Sequence, residues 1–178
     1  MNLIDIIVQN YFVSIRTQFL TEAMYLLTIL FNGSLSFLVI VLCVATLIYL
    51  VRNFRYAMLF VFSLFSGTLV VFILKSFFDV NRPTDGLAPV FGQSFPSYHA
   101  TIATIFFVML IYIFDDYLKK RTKIVFNTLC IFSVILVSFS RLYLGAHWLS
   151  DVVSGLILGV LISYISIKIF KSRKNIQR

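Results

Sequence analysis

The chain has two histidines, and each stands in a short polar run whose residue types suit the handling of a phosphate. One run is Phe95-Pro96-Ser97-Tyr98-His99. Another is Ser140-Arg141, five residues, His147, three residues, Asp151. A third lies upstream, with Lys75, six residues, then Arg82-Pro83. Arg offers a planar fork that matches two phosphate oxygens at once, and Lys adds a compact positive charge. Ser97 follows Pro96 at the start of an apolar stretch, the position of a helix N-cap, where free N–H groups and the helix dipole favour an anion. His147 and Asp151 are four residues apart, so both face one way if a helix begins near Gly145. A carboxylate against one imidazole nitrogen selects the tautomer and leaves the other nitrogen as nucleophile or base. His99, on a different stretch, suits the complementary acid that protonates a departing alkoxide.

Simpler readings compete with this one. A lone Lys or Arg at the end of a membrane span commonly snorkels to the headgroups, and Ser97 can be a plain helix cap. Snorkelling does not explain why both histidines and Asp151 fall at the same level as Lys75, Arg82 and Arg141. Three cations there would cost roughly 2.5–3.5 kcal/mol each at the bilayer centre, and less near the interface. An anion offsets that cost. Two His and one Asp could also suggest a metal, but three neighbouring cations repel a metal ion, and few ligands remain once the catalytic roles are filled. No metal or cofactor is expected.

The elements that must position these residues are membrane helices. The chain is 60% hydrophobic, 17% aromatic and 12% charged, with a mean hydropathy of +0.98. That composition belongs to integral membrane proteins. Apolar stretches at 34–51, 56–78, 98–114, 123–141 and 148–170 read as five spans, each near the roughly 17–25 residues a bilayer needs. Helices are the spanning form, because backbone groups in lipid must be bonded within the segment. Residues 1–31, with Asp5, Arg16 and Glu22 among apolar residues, read as an interfacial amphipathic helix followed by one that dips partway into the membrane. The expected organisation is one all-α domain, 1–178, with the bundle at 34–170 and a basic tail at 171–178. No cleavable targeting segment is expected, since Met1–Asp5 lacks a basic n-region. Cys43 and Cys130 lie in apolar stretches and read as free thiols.

Charge orients the bundle. Arg52 and Arg55, then Lys119, Lys120, Arg121 and Lys123, then the tail, form one basic set that the positive-inside rule places in the cytoplasm. The formal net charge of +8 is thus topogenic, or a fringe facing membrane lipids, and not a nucleic-acid patch. The loop at 79–97 and the turn at 142–147 fall on the other, extracytoplasmic face. All three polar runs converge there.

Taken together, the three runs resemble the signature motifs of the type 2 phosphatidic acid phosphatase family, in the right order over residues 75–151. The resemblance implies a helical-bundle hydrolase of lipid phosphates or diphosphates, in bacteria an enzyme of the inner (cytoplasmic) membrane. It implies that His147 attacks phosphorus and becomes a phosphohistidine, supported by Asp151, while His99 protonates the leaving group. Lys75, Arg82, Ser97 and Arg141 would hold the phosphate oxygens, and the mechanism needs no metal. Tyr98 stands where the family usually has Gly, so it either crowds the phosphate pocket or adds a hydroxyl to it. The family's small bacterial members usually have six spans, against five expected here. A phosphotransferase with an acceptor other than water is the alternative within enzymes. An anion or lipid transporter is the alternative outside them, though the spans lack the internal repeat common in transporters.

Overall fold

Apolar runs broken only by short polar turns leave this chain few ways to satisfy its backbone other than helices. The computed structural model describes residues 2–30, 35–87 and 92–176, and these form seven helices. They are α1 Leu3–Ser14, α2 Gln18–Leu30, α3 Leu35–Val51, α4 Phe54–Phe77, α5 Tyr98–Phe114, α6 Lys120–Tyr143 and α7 Leu149–Ile176. No strand occurs among the described residues. Residue 34, where the first span was expected to start, lies outside them, as do residues 177–178 of the basic tail.

The five expected spans correspond to α3 to α7. By length and composition three helices can cross a membrane: Phe54–Phe77, Lys120–Tyr143 and Leu149–Ser172. α3 and α5 have 17 residues each, about 25 Å of helix against a hydrocarbon core of about 30 Å. α5 tolerates this because it is the centre of the bundle, packed by α4, α6 and α7. Every residue from His99 to Phe106 is buried. Its Ile102, Ile105, Met109 and Ile113 form one apolar cluster with Leu59, Phe60 and Leu64 of α4. The outer surface is apolar as well, with Leu50 and Phe72 each 73% exposed, as a lipid-facing surface should be.

Small residues bring α5 and α7 into near-backbone contact. A Cβ on Gly155 would meet the Ser97 carbonyl oxygen at 2.8 Å, and one on Gly159 would meet Thr104 Cβ at 2.6 Å. In lipid, such close approach supplies the dispersion contacts that hold helices together. It also brings the beginnings of α5 and α7, which carry His99 and Asp151, side by side. The Ser97 N–H donates to the Asp151 carbonyl oxygen at 3.1 Å.

The basic loops collect at one end. Arg52 pairs with Asp116 at 2.7 Å and Lys123 with Asp115 at 2.5 Å, while Arg52 lies 4.7 Å over the ring of Tyr56 and Lys171 lies 5.4 Å over that of Tyr112. The opposite end carries residues 79–87 and 92–97, the 144–148 turn and α1. Asp5, Gln9 and Phe12 are buried on one face of α1, which packs on α6 and α7. α2 then runs back beside the end of α6, with Thr21 Oγ1 3.2 Å from the Tyr143 hydroxyl. Two helices were expected in residues 1–31, and α1 and α2 lie there. Cys43 and Cys130 are both free thiols.

Candidate active site

α6 must stop abruptly for His147 to reach the site, and Gly145 stops it. Gly145 has φ of +63°, a conformation open to Gly and strained for other residues. The Gly145 N–H donates to the Leu142 carbonyl at 3.0 Å and the Ala146 N–H to the Arg141 carbonyl at 3.0 Å. This pair of bonds is a Schellman motif, which satisfies carbonyls at the end of a helix. The chain reverses there and presents His147 before α7 begins at Leu149.

Here the geometry differs from the sequence expectation. His147 lies in the turn ahead of α7, so it and Asp151 do not share a helical turn. They still meet: His147 Nδ1 is 3.5 Å from Asp151 Oδ2 and 3.4 Å from Ser94 Oγ. Asp151 turns back because its Oδ2 accepts the Trp148 N–H at 2.9 Å, the carboxylate half of a capping box. Ser94 Oγ also donates to that oxygen. His147 Nε2 faces the other way, 3.3 Å from Arg82 Nη1. With Nδ1 turned to the carboxylate, the tautomer with its proton on Nδ1 leaves the Nε2 lone pair aimed at the cationic side. Burial pushes the His147 imidazole down to about 4, against the pull of Asp151, so the ring is a free base at neutral pH.

The cations come from three elements. Lys75, in the last turn of α4, donates from Nζ to the Gln93 and Ser94 carbonyls at 2.6 and 3.2 Å. Arg82, in the following loop, donates to the carbonyls of Gly92, Gln93 and Ala146 at 2.9, 3.1 and 2.6 Å. It thereby ties the loop ahead of α5 to the turn that carries His147. Arg141, in the last turn of α6, is fully buried. Its Nη2 donates to Thr28 Oγ1 of α2, and its Nη1 has no partner. His99, on the first turn of α5, is 7% exposed, and its Nε2 is likewise unpartnered. His99 lies within electrostatic range of Arg141, His147, Arg82 and Lys75. Seven of the eight residues singled out from the sequence therefore gather at one end of the bundle around one centre.

Tyr98 takes a different direction. Its ring packs against the main apolar cluster and stands edge-on to His99 at 5.8 Å, and its hydroxyl has no hydrogen-bond partner among the described residues. Ser97 is the N-cap of α5, accepting the Ala100 N–H at 3.5 Å, and is fully buried. The sequence reading missed Ser94, Thr28 and Asp5. Ser94 carried a faint signal, as a polar residue just ahead of Phe95-Pro96-Ser97. Thr28 and Asp5 carried none, because their partners lie more than a hundred residues away.

Lys75, Arg82 and Arg141 against Asp151 alone leave an excess of about two positive charges, which matches a phosphate monoester at neutral pH. Buried Nη1 and Nε2 atoms at the same centre leave donors for its oxygens.

Residues 56–175, two thirds of the chain, match the model of the PAP2 superfamily. The chain belongs to the PAP2 superfamily. Among relatives of this PAP2 protein is an undecaprenyl-diphosphatase of Sulfolobus acidocaldarius, 32% identical over 113 residues, which are 62% of this chain and 51% of that one. The chain thus spans about half of that relative's length. A phosphatidylglycerophosphatase B of Bacillus subtilis is 29% identical over 160 residues, covering 86% of this chain and 76% of the relative. The crystal structure of a transmembrane PAP2 type phosphatidylglycerolphosphate phosphatase from Bacillus subtilis superposes with a TM-score of 0.85 at 26% identity, over 94% of this chain and 85% of that one. LpxE of Aquifex aeolicus has the same fold, with a TM-score of 0.77 at 20% identity over 94% of this chain and 99% of its own.

Proposed function

We propose that this PAP2 protein hydrolyses a lipid phosphate or lipid diphosphate at the extracytoplasmic membrane face, through a phosphohistidine on His147. The observation that carries the reading is the opposed surroundings of the His147 ring. Nδ1 faces the Asp151 carboxylate and Nε2 faces the guanidinium of Arg82, where a bound phosphoryl group would sit. Nε2 attacks phosphorus, and the bond between phosphorus and the lipid oxygen breaks as His99 gives that oxygen its proton. Water then attacks phosphorus, His99 takes back a proton, and the phosphorus–Nε2 bond breaks to release inorganic phosphate. Lys75, Arg82 and Arg141 stabilise the charge that gathers on the oxygens in both steps. The apolar exterior suits a substrate that arrives in the bilayer with its headgroup at the end of the bundle. The relatives named for undecaprenyl diphosphate and phosphatidylglycerophosphate support lipids of these classes as substrates.

The test is release of inorganic phosphate by purified protein in detergent, from a panel of lipid phosphates and diphosphates, with chelator and no added metal. Steady release from at least one lipid that His147→Ala abolishes is expected. Release that stops with chelator, or that survives His147→Ala, would sink the proposal.

A further inference from the structure

α7 begins at Leu149, and the residue before it, Trp148, has no side-chain acceptor for the free N–H groups of the first turn. The acceptor arrives from 145 residues away. Asp5 Oδ1 accepts the Ser150 N–H at 2.9 Å, and Asp5 Oδ2 accepts from Ser150 Oγ at 2.9 Å. Asp151, the next residue, bonds the Trp148 N–H from the other side. Two carboxylates thus cap one helix start, one from α1 and one from the site itself. Asp5 is only 5% exposed, so its charge is held by these two bonds and the positive end of the α7 dipole. The same face of α1 reaches the far flank of the turn, where Gln9 Nε2 and, just beyond the helix, Arg16 Nη2 each lie 2.8 Å from the point a Cβ on Gly145 would occupy. Arg16 continues the contact, donating to the carbonyls of Tyr143 and Asp85 at 3.2 and 2.8 Å. α1 therefore grips both ends of the segment that carries His147 and Asp151, although it lies outside residues 56–175 that match the family.

We infer that Asp5 is a positioning residue for the reaction proposed above, acting through the first turn of α7 on the Asp151–His147 pair. It touches neither substrate nor phosphorus. It sets the direction of the Asp151 carboxylate, and so the aim of His147 Nε2. A shift of this kind alters the chemical step more than binding, because the cations that hold the phosphate are fixed by other contacts.

Turnover of a lipid phosphate in detergent is compared for wild type, Asp5→Ala, Asp151→Asn and the double variant, with the folded fraction measured by thermal unfolding. Asp5→Ala should lower kcat about 10–100-fold with KM little changed, the size expected when a reacting group is misplaced. Asp5→Asn, which keeps the acceptor for the Ser150 N–H, should recover part of the loss. In the Asp151→Asn background, Asp5→Ala should cost less than about 2-fold, because residues acting through one another are not additive. Equal losses in both backgrounds, or wild-type kcat per folded molecule for Asp5→Ala, would overturn the inference. If Asp5→Ala does not fold, Ser150→Ala removes one of the two bonds and gives the same comparison. A readout independent of turnover separates this inference from the functional reading. In a His99→Asn protein the one histidine is His147, and its ring ¹⁵N signals should shift on adding Asp5→Ala. Unshifted signals overturn the positioning role, whereas shifted signals together with a wild-type protein that releases no phosphate from any lipid of the panel overturn only the proposed function.

Discussion

The two histidines are both buried at one centre, yet their surroundings differ. His147 has a carboxylate on Nδ1 and a guanidinium on Nε2, whereas His99 has an unpartnered Nε2 and cations around it. If His147 is the nucleophile, His147→Ala is inactive on every substrate. His99→Ala loses only the acid, about 10²–10⁴-fold on a lipid alkoxide. An aryl phosphate with a good leaving group needs little protonation, so it should recover much of the His99→Ala activity and none of the His147→Ala activity. The opposite pattern would exchange the two roles. A second consequence concerns pH. Burial lowers the His147 imidazole from 6.5 to about 4, so the unfolded chain takes up the proton first as pH falls. Stability linked to this ring is therefore complete above about 6.5 and drains away between 6.5 and about 4. In the His99→Asn protein, ¹⁵N spectra should show a neutral ring protonated on Nδ1 at pH 5.5. A ring half-protonated near 6.5 would show that it is solvated and not held in this pocket.

Elements matter here chiefly at their ends. α6 stops at a Schellman turn, α5 starts at the Ser97 cap, and α7 starts between two carboxylates. Each terminus delivers one functional side chain, so a fault in a cap moves chemistry as well as stability. Gly145→Ala is the direct test. The positive φ costs on the order of 1 kcal/mol for a residue with a Cβ. The added carbon would also meet Arg16 Nη2 and Gln9 Nε2 at 2.8 Å and Gly86 Cα at 3.0 Å. The two side chains can yield, while the backbone of Gly86 yields less readily. Gly145→Ala should lower thermal stability and reduce turnover per folded molecule, because His147 sits two residues on. Unchanged turnover in the folded fraction would show that the turn does not set the position of His147.

At the scale of the whole molecule, the bundle separates its charges by end. Cations paired with Asp115 and Asp116 or set over Tyr rings occupy one end, and Lys75, Arg82 and Arg141 the other. The positive-inside rule predicts that the first end is cytoplasmic. In a protein with Cys43→Ser and Cys130→Ala, a cysteine replacing Asp85 should react with a membrane-impermeant maleimide added to intact cells. One replacing Lys120 should react only after permeabilisation. The reverse pattern would invert the proposed orientation and place the reaction in the cytoplasm.

What the sequence determined by itself was the periodic and the local: five apolar stretches, the level at which the polar runs fall, and the residue types of a phosphate site. These were legible because a membrane span needs about 20 apolar residues in a row, which makes any polar cluster conspicuous. The Ser before α5 is a local signal of the same kind. The tertiary structure decided what depends on partners far apart in the chain. It placed His147 ahead of α7 and turned it to Asp151 through a cap, where a shared helical turn was expected. It set the Tyr98 ring on the apolar cluster. It also recruited Asp5 of α1, Arg16 between α1 and α2, and Thr28 of α2 to bond Ser150, Tyr143 and Arg141. A lone acid in an apolar helix reads as an interruption until its partner is seen, because no local pattern records a hydrogen bond to a residue 145 positions away.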